Sequence, residues 1–167
     1  MKGIGGTTLF APDDDLLREQ AATVMWNIMA EGDLEAPAAA LSDVAQGEWY
    51  APYVNWAVEA AVMEGHGGTD RFGVGEALTR EQFAAVVAKA TKADVSAANA
   101  TALEGFTDSE SVSEWAQATM AWAVEAGVIN GVALSDGTLE LQGSREITRA
   151  EMAMMIKNAV GEGVLEL

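Results

Sequence analysis

The chain has 167 residues, half of them hydrophobic, a net charge of −17 and no cysteine. That is apolar material for one domain or one compact set of repeats, and it excludes disulfides, thiolate zinc sites and cysteine nucleophiles. So acidic a chain does not track a nucleic-acid backbone by bulk charge, and no run reaches the roughly 18 continuous apolar residues of a membrane span. Neither nucleic acid nor membrane insertion is therefore expected.

In chain order, the first feature is a glycine loop, GIGGTTLF at residues 3–10, followed by a helical pattern, LLREQAATV. Both return 62 residues later as GHGGTDRF (65–72) and LTREQFAAV. Residues 31–40 read as a connection, and the acidic turn LSDV (41–44) then introduces WYAPYVNWAVEAAVMEG (49–65). After a second connection at 92–104, partly helical in character, the turn FTDS (106–109) introduces WAQATMAWAVEAGVING (115–131), which aligns with 49–65 without a gap. The third copy ends in LQGSREITRAEMAMMI, with a longer loop ahead of it. Phe10, Phe72 and Leu141 each stand eight residues before an arginine: Arg18, Arg80 and Arg149.

The unit is thus helix, glycine loop, helix, a length at which supersecondary elements repeat. Trp115, Ala118, Trp122 and Ala126 fall on one helical face, expected to be apolar. Glycines 65, 127 and 131 are expected to close the first helices, because glycine adopts the left-handed cap without strain. Thr79 with Gln82, and Thr148 with Glu151, have the spacing of capping boxes. Leu17 stands where these threonines stand, so the first copy's box is broken. The predicted units are a partial repeat at 1–30, lacking its first helix, and repeats at 41–91 and 106–160. The partial copy is expected to leave the apolar face of its second helix unpartnered, a route to self-association. It also reads as the start of a fragment, which would account for the missing signal peptide.

The order FTD…W…WAVEAGVING…ITRAEMAMMI resembles the S-layer homology repeat of bacterial cell-surface proteins, with ITRAE intact at 147–151, LTREQ at 78–82 and LLREQ at 16–20. The resemblance implies an all-α fold of helix–loop–helix repeats in a pseudo-threefold arrangement. It also implies an extracellular location at the bacterial cell surface. The implied function is non-covalent anchoring to a cell-wall glycan, an acidic secondary polysaccharide that is often pyruvylated, held in the grooves between repeats.

Arg18, Arg80 and Arg149 are the informative candidates. A cation in the first turn opposes the helix dipole, yet a helix start offers free N–H groups to an anion and a guanidinium adds a fork that fits a carboxylate. Loss of Arg149 is expected to weaken glycan binding and hardly alter stability. Thr79, Thr148, Asp43, Asp108, Trp56, Trp122, Gly65 and Gly131 complete the candidate ligand set. The threonines and acids also suit caps and turns, and the tryptophans suit a core. His66, the sole histidine, reads as a solvated loop residue without a partner. The triplet at 13–15 (DDD) lacks the spacing of a calcium loop, and the G-x-G-G copies lack the Lys-Ser/Thr pair of a phosphate loop. No catalytic residue, metal or cofactor is expected. The competing reading is a helical repeat scaffold that binds protein without binding glycan.

Overall fold

The computed structural model describes residues 9–29, 34 and 36–166. The first glycine loop (3–8) and most of residues 30–35 lie outside the described residues. The fold is mostly helical: α1 (Arg18–Met29), α2 (Ala51–Glu59), α3 (Arg80–Ala90), α4 (Gln117–Glu125) and α5 (Arg149–Gly161). The connection at 92–104 contains two short 3-10 turns, Val95–Ala97 and Ala100–Leu103. The long third loop is not irregular. It forms a two-stranded antiparallel hairpin, β1 (Val132–Ala133) with β2 (Leu139–Glu140), so the expected all-α fold gains a small sheet. Its turn is an Asp-Gly pair in which Gly137 has φ 86° and Asp136 accepts from the Thr138 N–H and hydroxyl, a combination that favours a tight hairpin.

The second helices start as the sequence predicts. Thr79 and Thr148 each accept from the backbone three residues on, and Gln82 and Glu151 reach back to complete both capping boxes. In the first copy half of the box survives: the Leu17 N–H still donates to Gln20 Oε1 at 3.4 Å. The residues just ahead of these helices tie the three copies together. Leu16 N–H donates to Ile147 O (2.9 Å), Ile147 N–H to Leu78 O (2.8 Å) and Leu78 N–H to Leu16 O (2.9 Å). The result is a closed ring of backbone hydrogen bonds around three side chains that are fully buried.

Helix pairing runs between copies. α1 packs on α2 and α3 packs on α4, with Ala21, Ala22 and Met25 of α1 fully buried. The face of α1 therefore has its partner, supplied by the following repeat, and the expectation of an unpartnered α1 does not hold. α5 has no comparable helix contact among the described residues. Met154 on α5 is half exposed, whereas Ala85, its counterpart on α3, is partly covered.

On α4 the period was right and the face was off by one. Ala116, just ahead of the helix, and Thr119, Met120, Ala121 and Ala123 are buried, while Trp115 and Ala118 are exposed. Trp115 lies in a 3-10 turn (Glu114–Ala116) that precedes the helix, which rotates it out of the stripe. The caps differ as well. Gly127 (φ 69°) directly follows the C-cap of α4 and terminates it. Gly65 and Gly131 lie six residues beyond their helices and do not cap them. They admit close packing instead: a Cβ on Gly65 would come within 2.5 Å of Arg71 O, and one on Gly131 within 2.5 Å of the Phe106 ring. The counterpart of Gly127 in the second repeat is Ala61, held at φ 54°, a conformation that costs an L-residue about 1–2 kcal/mol. Ala61→Gly should therefore stabilise the protein by about 0.5–1 kcal/mol after allowing for the extra entropy of the unfolded glycine. Urea unfolding of the two proteins reads this directly, and a less stable variant would contradict it.

Candidate functional site

Each repeat arginine sits at the first position of its helix and reaches out of its own repeat. Arg18 Nε donates to Phe72 O (2.6 Å) and its Nη2 to Glu64 O (2.6 Å). Arg80 Nε donates to Leu141 O (2.9 Å) and its Nη1 lies 3.3 Å from Glu151 Oε1. Arg149 Nε donates to Phe10 O (2.8 Å) and its Nη1 to Gln20 Oε1 (3.1 Å). The eight-residue spacing in the sequence thus marks partners in different repeats, since each arginine clasps the residue that precedes the next repeat's arginine by eight. Arg18 and Arg149 also lie over the rings of Phe72 and Phe10, at 5.0 and 5.4 Å from the centroids, within cation–π range. All three arginines are buried, at 4–7% exposure. Burial pulls the Arg18 and Arg80 guanidinium groups below their ordinary pKa, against the opposing pull of Glu76 and Asp43 on the first and Glu151 on the second. Losing Arg18 or Arg80 would leave the carbonyl of buried Phe72 or Leu141 without its donor, so a cost in stability is expected for these two.

The acids hold the loops that the arginines clasp. Asp43 accepts from the N–H groups of Phe72, Gly73 and Val74 at 2.7, 2.7 and 3.0 Å. Asp108 does the same for Leu141 and Gln142, both at 2.7 Å. Burial raises the pKa of the Asp43 carboxyl, but the three backbone donors outweigh it and the net shift is downward. A third set of acids was not legible in the sequence. Glu19, buried, accepts from Gly75 N–H (3.0 Å), and Glu81, buried, accepts from the Ser113 N–H (3.2 Å) and hydroxyl (2.7 Å). An acid at the second position of a helix looks like ordinary dipole compensation; its second task depends on a loop more than thirty residues away.

A groove of about 490 Å³ opens where three repeats meet. It is lined by Arg18, by residues 62–67, by α3 residues that include Lys89, and by Trp115 and Thr119 from the third repeat. A larger depression, about 560 Å³, lies beside Pro37, Gln46, Pro52 and Asn55 and has no cation among its lining residues. An acidic protein can attract an anion only through local positive groups, so the groove with Arg18 and Lys89 is the better candidate.

The S-layer homology domain family model matches residues 40–84 and 105–153, more than half of the chain. The chain belongs to the S-layer homology family. Two curated relatives align over 74% of it: an amylopullulanase of Thermoanaerobacterium thermosulfurigenes, 29% identical over 128 residues, and exoglucanase XynX of Acetivibrio thermocellus, 28% identical over 125 residues. The chain spans 7% and 11% of the length of these two proteins, so what is shared is the S-layer homology portion. That portion is a binding module rather than a catalytic one, and S-layer homology proteins are associated with the cell surface and its wall.

Of the sequence-predicted site residues, the groove brings together Arg18 and Gly65. Thr79 and Thr148 serve as caps. Asp43 and Asp108 brace loops, Arg80 and Arg149 clasp the other two repeat junctions, and Gly131 packs against Phe106. Trp56 and Trp122 are half-buried and pack on the core. The exposed tryptophans are Trp49 and Trp115, at 58% and 57%. They were legible as a pair seven residues ahead of Trp56 and Trp122, but the helical stripe assigned Trp115 to the interior. His66 is also corrected: it lines the groove and its Nε2 meets Glu76 Oε2 at 2.8 Å.

Proposed function

We propose that this S-layer homology module anchors its protein non-covalently to the bacterial cell wall, by binding an acidic secondary wall polysaccharide in the groove of Arg18, Lys89 and Trp115. The three copies are arranged about a pseudo-threefold axis, a reading supported by the hydrogen-bond ring of Leu16, Leu78 and Ile147 and by the cyclic order of the arginine contacts. The observation that carries the function is the groove's composition. Nε and Nη2 of Arg18 are taken up by backbone carbonyls, which fixes the plane of the guanidinium and leaves Nη1 for a carboxylate; a pre-oriented fork is what such an anion needs. Trp115 offers an exposed ring on which a sugar face can lie. Family membership supports the wall as the partner. The cations support an acidic substituent, and a pyruvyl ketal is the one that the family resemblance implies.

Trp115→Ala tests the reading. Covering a half-exposed indole is worth about 1–2 kcal/mol, so affinity for purified wall polymer should fall about tenfold. The melting temperature should hardly move, because Trp115 is 57% exposed. Co-sedimentation with polymer that retains or lacks its acidic groups separates the ring's contribution from that of the cations. Unchanged binding in a folded Trp115→Ala protein would place the polymer elsewhere.

A further inference from the structure

We infer that His66 is a ligand-contacting residue of this groove and makes its grip on an acidic glycan tighten as the pH falls. The inference rests on the anchoring reading above and adds a residue and a dependence to it. His66 is the chain's only histidine. Its side chain is 39% exposed and lines the groove. Glu76 Oε2 lies 2.8 Å from Nε2. A carboxylate only accepts, so the neutral ring keeps its proton on Nε2 and presents Nδ1 as a lone pair. Nδ1 has no hydrogen-bond partner among the described residues. In that state it can accept from a sugar hydroxyl but repels a carboxylate. Once the ring is protonated, Nδ1–H becomes a charged donor and the groove gains a cation beside Arg18 and Lys89.

Groups of both signs stand around the ring. Beside Glu76, Arg71 donates to Glu76 Oε1 at 2.9 Å and its carbonyl accepts from His66 N–H. Arg18 stands across Gly73: a Cβ on that glycine would lie 2.6 Å from His66 Nε2 and 3.0 Å from Arg18 Nε. Asp43 lies 3.9 Å from Arg71 Nε. On the far wall Lys89 is paired with Glu64 at 2.8 Å, and the third repeat contributes only the uncharged Trp115 and Thr119 to the groove lining. A bound anion would tip this balance toward the protonated ring, and reciprocity then requires protonation to tighten anion binding by the same factor. An imidazole changes charge between about pH 5 and 8, a range in which sugar carboxylates remain ionised.

The test uses purified wall polymer retaining its acidic substituents, titrated calorimetrically at pH 5.5 and 7.5. Wild type should bind about fivefold more tightly at the lower pH, which is what a rise of about one unit in the ring's pKa on binding gives between these two values. The single histidine gives one imidazole Hε1 resonance, so an NMR titration with and without polymer reads that rise in the unmutated protein. His66→Gln should bring the affinity ratio between the two pH values close to one. If wild type binds equally at both pH values, if the ring titrates identically with and without polymer, or if His66→Gln retains the ratio, the inference is overturned while anchoring stands. Failure of wild type to bind at either pH would overturn the anchoring reading and this inference with it.

Discussion

Replacing Asp43 with alanine should cost about 3 kcal/mol of folding stability. Its two oxygens accept three backbone N–H groups, from Phe72, Gly73 and Val74, and Phe72 and Gly73 are buried. A buried donor left without a partner costs about 1–3 kcal/mol. Three would exceed 3 kcal/mol if none found water, and the partial exposure of Val74 reduces the total. The loss does not stay local. Phe72 carries the carbonyl that Arg18 clasps and the ring beneath its guanidinium, so a loosened loop should also loosen the groove. Asp43→Asn should recover only part of the loss, because a carboxamide offers one accepting oxygen and turns its NH₂ toward other donors.

The same contacts set an acid limit. The folded pKa of Asp43 is depressed, so the stability it supplies is fully present above the ordinary carboxylate value and is lost as the pH falls through the depressed one. Wild type should therefore lose stability steeply below about pH 4, and Asp43→Ala, already less stable at neutral pH, should show a flatter acid limb. Urea unfolding from pH 2 to 7, followed by tryptophan fluorescence, measures both effects. Parallel acid limbs for the two proteins would mean that other carboxylates dominate and that Asp43 matters little.

What could be read from the sequence was what is local. The capping boxes at Thr79 and Thr148 lie within four residues each, and the helix starts follow from them. Register across repeats was only half legible. The spacing of eight from Phe10 to Arg18, Phe72 to Arg80 and Leu141 to Arg149 was visible, but a spacing cannot say whether two residues meet each other or their counterparts in neighbouring copies. They meet the counterparts. The same ambiguity hid the partner of α1, which is α2 of the next repeat. Trp115 was misassigned because a 3-10 turn advances the chain by a different angle per residue than the helix it leads into. His66 finds Glu76 through the turn from 67 to 75, and no periodic pattern encodes such a turn.

The repeat arginines make the last prediction, and it separates two roles that the sequence left together. Arg80→Ala should destabilise the protein by about 3 kcal/mol, or about 10 °C in melting temperature for a chain of this size. Arg80 is 5% exposed, donates to Leu141 O and faces Glu151. Removing one partner of a buried ion pair typically costs about 3–5 kcal/mol. The lower end applies because Glu151 keeps Arg145 and the Thr148 N–H. Removing a cation from the first turn of a helix returns at most about 1 kcal/mol, too little to reverse the sign. Arg80→Lys should recover little, since an ammonium on a flexible stem cannot serve the Leu141 carbonyl and the Glu151 carboxylate in the plane that the guanidinium fork holds. Glu151 stays ionised down to acid pH: burial raises its pKa, but the hydrogen bonds from Arg145 and Thr148 and the charge of Arg80 outweigh it, so at neutral pH the variant retains the anion without its buried partner. A variant that melted within 1–2 °C of wild type while losing polymer binding would assign Arg80 to the ligand alone. A large loss of stability, with polymer affinity per folded molecule unchanged, would assign it to the junction between repeats, and on the geometry that is the expected result, with the ligand contact falling to Arg18.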